Sequence, residues 1–428
     1  MPKVWVLFTN NLRVRDNTVL DAACKSWNQV LPMYFHNTRE NKIEIYGMRR
    51  VWPFRAKFLC ESLENLSTNL EKLWAQLAII RWEYITELAD FIVSHKLTKV
   101  YIQETVGIDE YNELQELKSI LEKQNITLYT IWDHTLVYPD DMPFAVSDLP
   151  QVFTVFRKWV EKNSDIIDPL VIPIHSDFIS INSIETLTLE DFWYSDVESD
   201  GRRVLDFRWG EDEAWARLQH YFWDTQSLSI YKETRNGLIW ADYSSKFSAW
   251  LSLWCISARS IYTEVKKYEK YIKKNNSTYW LIFELLWRDF FQFVFLHDRM
   301  RFFRDFTSEI EALSSESDRR KFEKWKEGRL WVPFVDANMR ELALTGFMSN
   351  RGRQNVASYL VNDLELDWRL WATYFESQLI DYDVASNWGN WAYVAWVGND
   401  PRENRYFNIE RQQSMYDWDS AYRKIWST

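Results

Sequence analysis

Hydrophobic periodicity changes once along this chain, near residue 206, and that change limits the folds open to it. In the first third, short apolar runs alternate with amphipathic stretches. Val4–Phe8, Val30–Phe35, Lys99–Ile102 and Thr127–Trp132 read as buried strands. Val19–Lys25, Arg55–Leu73, Tyr84–His95 and Glu113–Lys123 read as the helices between them. Such alternation predicts a parallel sheet with right-handed crossovers. No G-x-G-x-x-G follows any of these strands, which disfavours a conventional dinucleotide site there. From about 206 onward the strand signals vanish and helical spacing takes over, for example in Trp215–Trp223, Tyr279–His297, Trp368–Gln378 and Asp417–Trp426. The expected fold is an α/β domain over 1–132, a connector over 133–205 and an all-α domain over 206–428. The connector carries Pro139, Pro143, Pro150, Pro169, Pro173 and one short helix near Val152–Lys162. A loop of that length is expected to wrap over another domain.

A chain of 428 residues is long enough for two domains with sizeable cores. It holds no run of about 18 apolar residues, so no transmembrane helix is expected. The opening residues are too few and too soon interrupted for a signal peptide. A soluble monomer is therefore expected, in the cytoplasm, the nucleus or an organelle. The three cysteines, Cys24, Cys60 and Cys255, are far apart and give neither a disulfide framework nor zinc spacing. The six histidines are scattered, and no metal is expected. A net charge of −11 argues against indiscriminate nucleic-acid binding. Eight arginines of the C-terminal half (288, 299, 301, 304, 351, 353, 402 and 405) leave two readings open: a local phosphate track, or solvated ion pairs.

Three stretches carry chemistry. The first runs from Phe347 to Trp391 and sets Asn350, Arg351, Arg353, Asp367, Asp381, Asp383, Asn387, Asn390 and several tryptophans within a short helical span. Read without further context, it is a polar network tying helices together. The second is Tyr231–Asn236 followed by Asp242-Tyr243-Ser244-Ser245-Lys246-Phe247-Ser248. Small hydroxyls before a helix can donate to phosphate oxygens, and the helix end adds attraction; the plainer account is an N-cap. The third is Glu284-Leu285-Leu286-Trp287-Arg288. Glu284 and Arg288 are spaced for a surface ion pair. A carboxyl beside a flat indole also makes a base-reading site.

The order and spacing of these residues resemble the photolyase/cryptochrome family, most of all its cryptochrome DASH branch, over essentially the whole chain. The resemblance implies an α/β domain of Rossmann-like topology joined to a helical FAD-binding domain. It implies that Tyr231, Ser244, Ser245, Lys246, Phe247 and Ser248 wrap the FAD pyrophosphate. It implies an Arg353–Asp381 ion pair across the flavin ring, Asp383 on the flavin edge and Asn387 at flavin N5. Glu284 and Trp287 would bind a cyclobutane pyrimidine dimer, with Asn350 lining the adenine and substrate cavity. Trp391 and Trp368 would be the inner and middle members of a photoreduction chain. Its usual outer member falls where this chain reads Leu313-Ser314-Ser315-Glu316, with no aromatic; Trp371 and Trp396 are the substitutes on offer. The segment Leu136–Phe144 resembles the one that goes with a 5,10-methenyltetrahydrofolate antenna. The expected function is light-driven repair of pyrimidine dimers in single-stranded DNA. The alternatives are a blue-light photoreceptor without repair, and an aromatic-packed scaffold that has lost its flavin.

That last alternative has a compositional basis. There are 25 Trp and only 10 Gly, about a third of the usual ~7% glycine. Tryptophan stands where relatives typically have glycine at Trp52, Trp240, Trp254, Trp331, Trp371 and Trp396, with Trp74 and Trp82 as further cases. Where such a glycine had positive φ, the indole should be strained. Where it allowed close packing, the indole should force elements apart. Trp254 is expected to narrow the flavin cavity.

Overall fold

Five strands rich in β-branched and aromatic residues form the N-terminal sheet: Lys3–Phe8 (β1), Gln29–Asn37 (β2), Ala78–Trp82 (β3), Leu97–Gln103 (β4) and Thr127–Ile131 (β5). The computed structural model describes all residues except 1–2, 27, 43, 173–176, 181–185, 304–312, 314, 396, 398–405 and 428. Trp396, Arg304, Arg402, Arg405 and Pro173 therefore lie outside the described residues. The strands are parallel throughout, in the order β3-β2-β1-β4-β5. Side chains alternate between two cores, as the two-residue period of a strand requires. Trp5, Leu7, Leu31, Met33, Val100 and Ile102 pack under the helices Ile85–Ser94 and Ile108–Lys123. Val4, Val6, Phe8, Val30, Tyr34 and Tyr101 join a larger core that is continuous with the helical half.

Beyond residue 206 every regular element among the described residues is helical. The fold class is thus the one expected: a parallel α/β layer followed by an all-helical region. No helix among the described residues is long and apolar enough to cross a membrane. The connector is not structureless. Its Asp177–Phe178 pairs with Gln29 and Val30 of β2, Tyr194 donates to Val51 O at 2.9 Å, and Arg202 donates to Ile425 O at 2.9 Å. It thus makes contacts in both halves.

A buried ionic knot fastens the halves together. Arg259, in the helix Ala258–Tyr271, donates to Asp16 Oδ1 and Oδ2 at 3.0 and 3.1 Å and to Asp133 Oδ1 at 2.6 Å. Arg13 pairs with Asp133 as well and donates to Trp254 O at 3.0 Å. All four side chains are almost wholly excluded from solvent. Each charge has a partner, which is the condition for burying it.

Among the elements that local spacing does not reveal are β3 and the helices Val384–Val394 and Ile409–Tyr416. β3 follows the helix Pro53–Glu71 closely, so its short apolar run Ala78-Ile79-Ile80 reads as the tail of helical spacing.

Candidate functional site

A cavity of about 430 Å³ opens among the helices Asn276–His297, Asn350–Asn362 and Val384–Val394. Its volume falls within the range of small-molecule sites, roughly 300–1,000 Å³. Its walls include Tyr231, Ser244, Ser245, Lys246, Phe247, Ser248, Arg353, Asp381, Asp383 and Asn387. Glu284, Trp287, Asn350 and Trp391 line it too. Fourteen of the fifteen residues singled out in the sequence therefore meet around one space, although they span more than 150 positions.

The Ser-Ser-Lys loop is held from behind. Arg217 donates to the carbonyls of Ala241 at 3.1 Å, Ser244 at 3.0 Å and Ser245 at 3.0 Å, and to Asp242 Oδ1 at 2.7 Å. With the carbonyls engaged, the backbone N–H groups of residues 244–248 have no protein acceptor among the described residues. The loop carries the conformation of an anion-binding nest, with Lys246 at φ +62°. Lys246 is buried, and desolvation moves its ammonium down to about 8. Arg217 and Arg353 push in the same direction, while Glu341 opposes them.

Gly346 and Ile380 stand next in the chain to two lining residues, Phe347 and Asp381. Gly346 closes the helix Pro333–Thr345 at φ +70°, and a Cβ there would meet Phe54 Cβ at 2.8 Å and Ile380 Cγ2 at 2.9 Å. Ile380 N–H donates to Gly346 O at 3.0 Å, which sets Phe347 beside Asp381. Arg353 then donates to Asp381 Oδ1 and Oδ2 at 2.9 and 2.7 Å. The carboxylate is 1% exposed and the guanidinium 17%, so the arginine presents the accessible side of the pair. Asp383 caps the helix Val384–Val394 through Ser386 N at 2.7 Å and accepts from Gln292 Nε2 at 2.9 Å. Asn387 donates to Ala372 O at 2.9 Å, while its Oδ1 accepts from Trp391 Nε1 at 2.6 Å. Its carbonyl oxygen is thereby engaged, and the amide keeps one N–H beyond the bond to Ala372.

At the mouth, Glu284 pairs with Arg235. The i, i+4 pairing with Arg288 does not form; Arg288 reaches instead to the carbonyl of His134. Burial pushes the Glu284 carboxyl up, and Arg235 draws it back down. Trp287 lies flat on Phe153, with centroids 3.6 Å apart and planes at 14°, and meets Tyr393 edge-on at 5.6 Å. Asn350 is exposed on the rim, at the first position of its helix.

Trp368 is the exception. It does not line the cavity and meets Trp388 edge-on at 5.8 Å. The rings against Trp391 are Trp371 at 3.6 Å and Phe375 at 5.1 Å. Helical spacing explains this: Trp371 follows Trp368 by three residues, on a turn that faces the helix of Trp391. The expectation for Trp254 is also corrected. Its indole packs edge-on against His134 at 4.1 Å and is absent from the cavity wall. Trp74, Trp254 and Trp331 do adopt positive φ, at +62°, +46° and +63°. Trp52 and Trp240 have ordinary extended backbones. Arg217, Gln292 and Phe153, and the pairing of Arg235 with Glu284, were missed because the partners are remote in sequence and no local spacing marks them.

Known proteins supply the context for this geometry. Residues 4–173 match the DNA photolyase family and residues 280–427 match the FAD binding domain of DNA photolyase. Cryptochrome DASH of Gloeobacter violaceus is 44% identical over 99% of this chain and 85% of its own length. Cryptochrome DASH of Danio rerio is 43% identical over 99% of this chain and 82% of its own length. The crystal structure of a Synechocystis cryptochrome superposes with a TM-score of 0.93 at 42% identity, covering 100% of this chain and 88% of that one. A class III photolyase structure from Agrobacterium tumefaciens gives 0.83 at 25%, covering 100% and 86%. The chain belongs to the photolyase/cryptochrome family, and within it is most like cryptochrome DASH.

Proposed function

We propose that this protein binds FAD in the cavity described above and uses light to repair cyclobutane pyrimidine dimers, with a preference for single-stranded DNA. The observation that carries the reading is the convergence of a phosphate nest, an arginine–carboxylate pair and a carboxyl-plus-indole mouth on one space. The residues present fit the cofactor: the N–H groups of 244–248 lack protein acceptors, and neither Trp254 nor Trp371 lines the cavity. That fit weighs against a scaffold without flavin.

FAD bound there would supply light-driven electron transfer to the dimer. The protein's part is positioning and electrostatics. Ser244–Ser248 would donate to the pyrophosphate, with Lys246 adding charge. Arg353 would lie against the ring while Asp381 keeps it oriented. Asp383, fixed by Gln292, would accept from the ring edge. The remaining N–H of Asn387 would point toward N5. Glu284 and Trp287 would take the extruded dimer by hydrogen bonding and stacking, and extrusion is least costly from a single strand. A folate-type antenna is part of the proposal, supported by the resemblance of Leu136–Phe144 alone.

Anaerobic illumination with a dimer-containing single-stranded oligonucleotide tests the reading. Light-dependent disappearance of the dimer is expected, with a loss of at least about ten-fold in Glu284→Ala. No repair in light would reject it.

A further inference from the structure

The connector helix Phe153–Asn163 sends one ring under the mouth of the cavity. Phe153 is 4% exposed and does not line the cavity itself. It stacks on Trp287 at 3.6 Å and 14°, meets Phe283 at 90° and 5.2 Å, and meets Phe290 at 67° and 5.8 Å. Phe153 therefore covers one face of the Trp287 indole and is fixed from two further sides by rings of the helix Asn276–His297. The parts of Trp287 left to a ligand are bounded by Phe291 and Tyr393, both on the cavity wall.

The same helix is strapped to its neighbour farther along. Arg157 lies over the Phe283 ring at 5.5 Å. Tyr279 donates to Glu161 Oε1 at 2.6 Å, and Arg157 pairs with Glu161 at 3.0 Å. One turn separates Phe153 from Arg157, so the strap and the stacked ring are parts of one rigid face. A tryptophan free to rotate about χ1 and χ2 would lose entropy on stacking with a base. One already clamped by a flat ring loses less.

We infer that Phe153 is a positioning residue for Trp287: it fixes the indole plane on which a planar base stacks, and so sets discrimination between a dimer and undamaged DNA. The inference rests on the proposed reading of Glu284 and Trp287 as the dimer site. Phe153→Leu keeps the apolar volume and removes the flat ring; Phe153→Tyr keeps the ring. With 5-fluorotryptophan incorporated, the fluorine line lost in Trp287→Phe identifies Trp287. That line is expected to shift and narrow in Phe153→Leu and to stay in place in Phe153→Tyr. The ratio of affinities for dimer-containing and undamaged single-stranded oligonucleotides is expected to fall about ten-fold in Phe153→Leu and to recover in Phe153→Tyr. A merely structural role would lower Tm and leave that ratio unchanged. A Trp287 line unmoved in Phe153→Leu, or an unchanged ratio beside a wild-type preference for the dimer, overturns the inference. A wild-type protein with no such preference overturns the reading of the site instead.

Discussion

At the scale of single residues, the two partners of the Arg353–Asp381 pair are unequally buried, and this decides what a substitution does. Asp381 is sealed while Arg353 stays partly open. Removing the arginine strands a buried carboxylate; removing the aspartate leaves a cation that can turn toward solvent. Arg353→Met is therefore expected to cost about 3–5 kcal/mol in urea unfolding, and Asp381→Asn in that background should recover part of it. A loss below about 1 kcal/mol would contradict burial of the charge. The exposed left-handed tryptophans allow a cleaner experiment. Trp74 and Trp331 are 94% and 93% exposed, so replacing them removes almost no buried area. Relief of positive φ is worth roughly 1–2 kcal/mol, offset by roughly 0.5–1 kcal/mol for the chain entropy of glycine. Trp74→Gly and Trp331→Gly should each raise the urea midpoint slightly, and additively, since they lie in separate elements. A lowered midpoint would show that the backbone there is not strained.

At the scale of elements, the helix Asn276–His297 connects the cavity to the start of the connector through Asp289. This side chain is wholly buried and accepts from Leu136 N at 2.8 Å. Burial raises its carboxyl from 3.8 to about 7, with Arg288 opposing. The folded state therefore holds a proton that the unfolded chain releases near its ordinary value. The resulting stability is complete at low pH and is lost as pH rises through about 7. Asp289→Asn keeps an acceptor for Leu136 and removes the titration. Unfolding free energies at pH 5 and pH 8 should decline more in the wild type than in the variant; parallel declines would contradict the shift. The elements differ in how visible they are in the sequence. The helix Asn276–His297 is legible because its apolar positions recur over six turns behind an Asn275 cap. The helix Val384–Val394 is not, because Asn387, Trp388, Gly389 and Asn390 interrupt its pattern with weak helix formers. The site was legible where its residues crowd short stretches, at Tyr231–Ser248, Glu284–Trp287 and Asn350–Trp391. It was not legible where a pair spans the fold, as in Glu284–Arg235 or Trp287–Phe153. For Trp368 and Trp371 a related limit holds: sequence order names the helix but not which of two tryptophans, three residues apart, turns toward Trp391.

At the scale of the whole molecule, the ionic knot of Arg13, Asp16, Asp133 and Arg259 joins the ends of β1 and β5 to the helical half. The large core is continuous across the same boundary, so one cooperative unit is expected. Arg259→Met leaves Asp133 with Arg13 but strips the Asp16 carboxylate of its cation, leaving it the Leu170 N–H at 2.9 Å, and should cost about 3–5 kcal/mol. Calorimetry should then resolve two transitions in place of one; a single transition at an unchanged Tm would argue that the core alone unites the halves. The cavity's wall helices depend on that union, since the connector and the knot fix the helix Asn276–His297 against the sheet. Everything proposed for function rests on that cavity accepting a flavin. The direct measurement is the absorption spectrum of the purified chain after incubation with FAD and removal of the excess. A flavin band that survives gel filtration, is released as FAD by heat and is lost in Arg353→Met and Lys246→Glu is the predicted result. A colourless chain that retains no FAD would contradict the account at its centre.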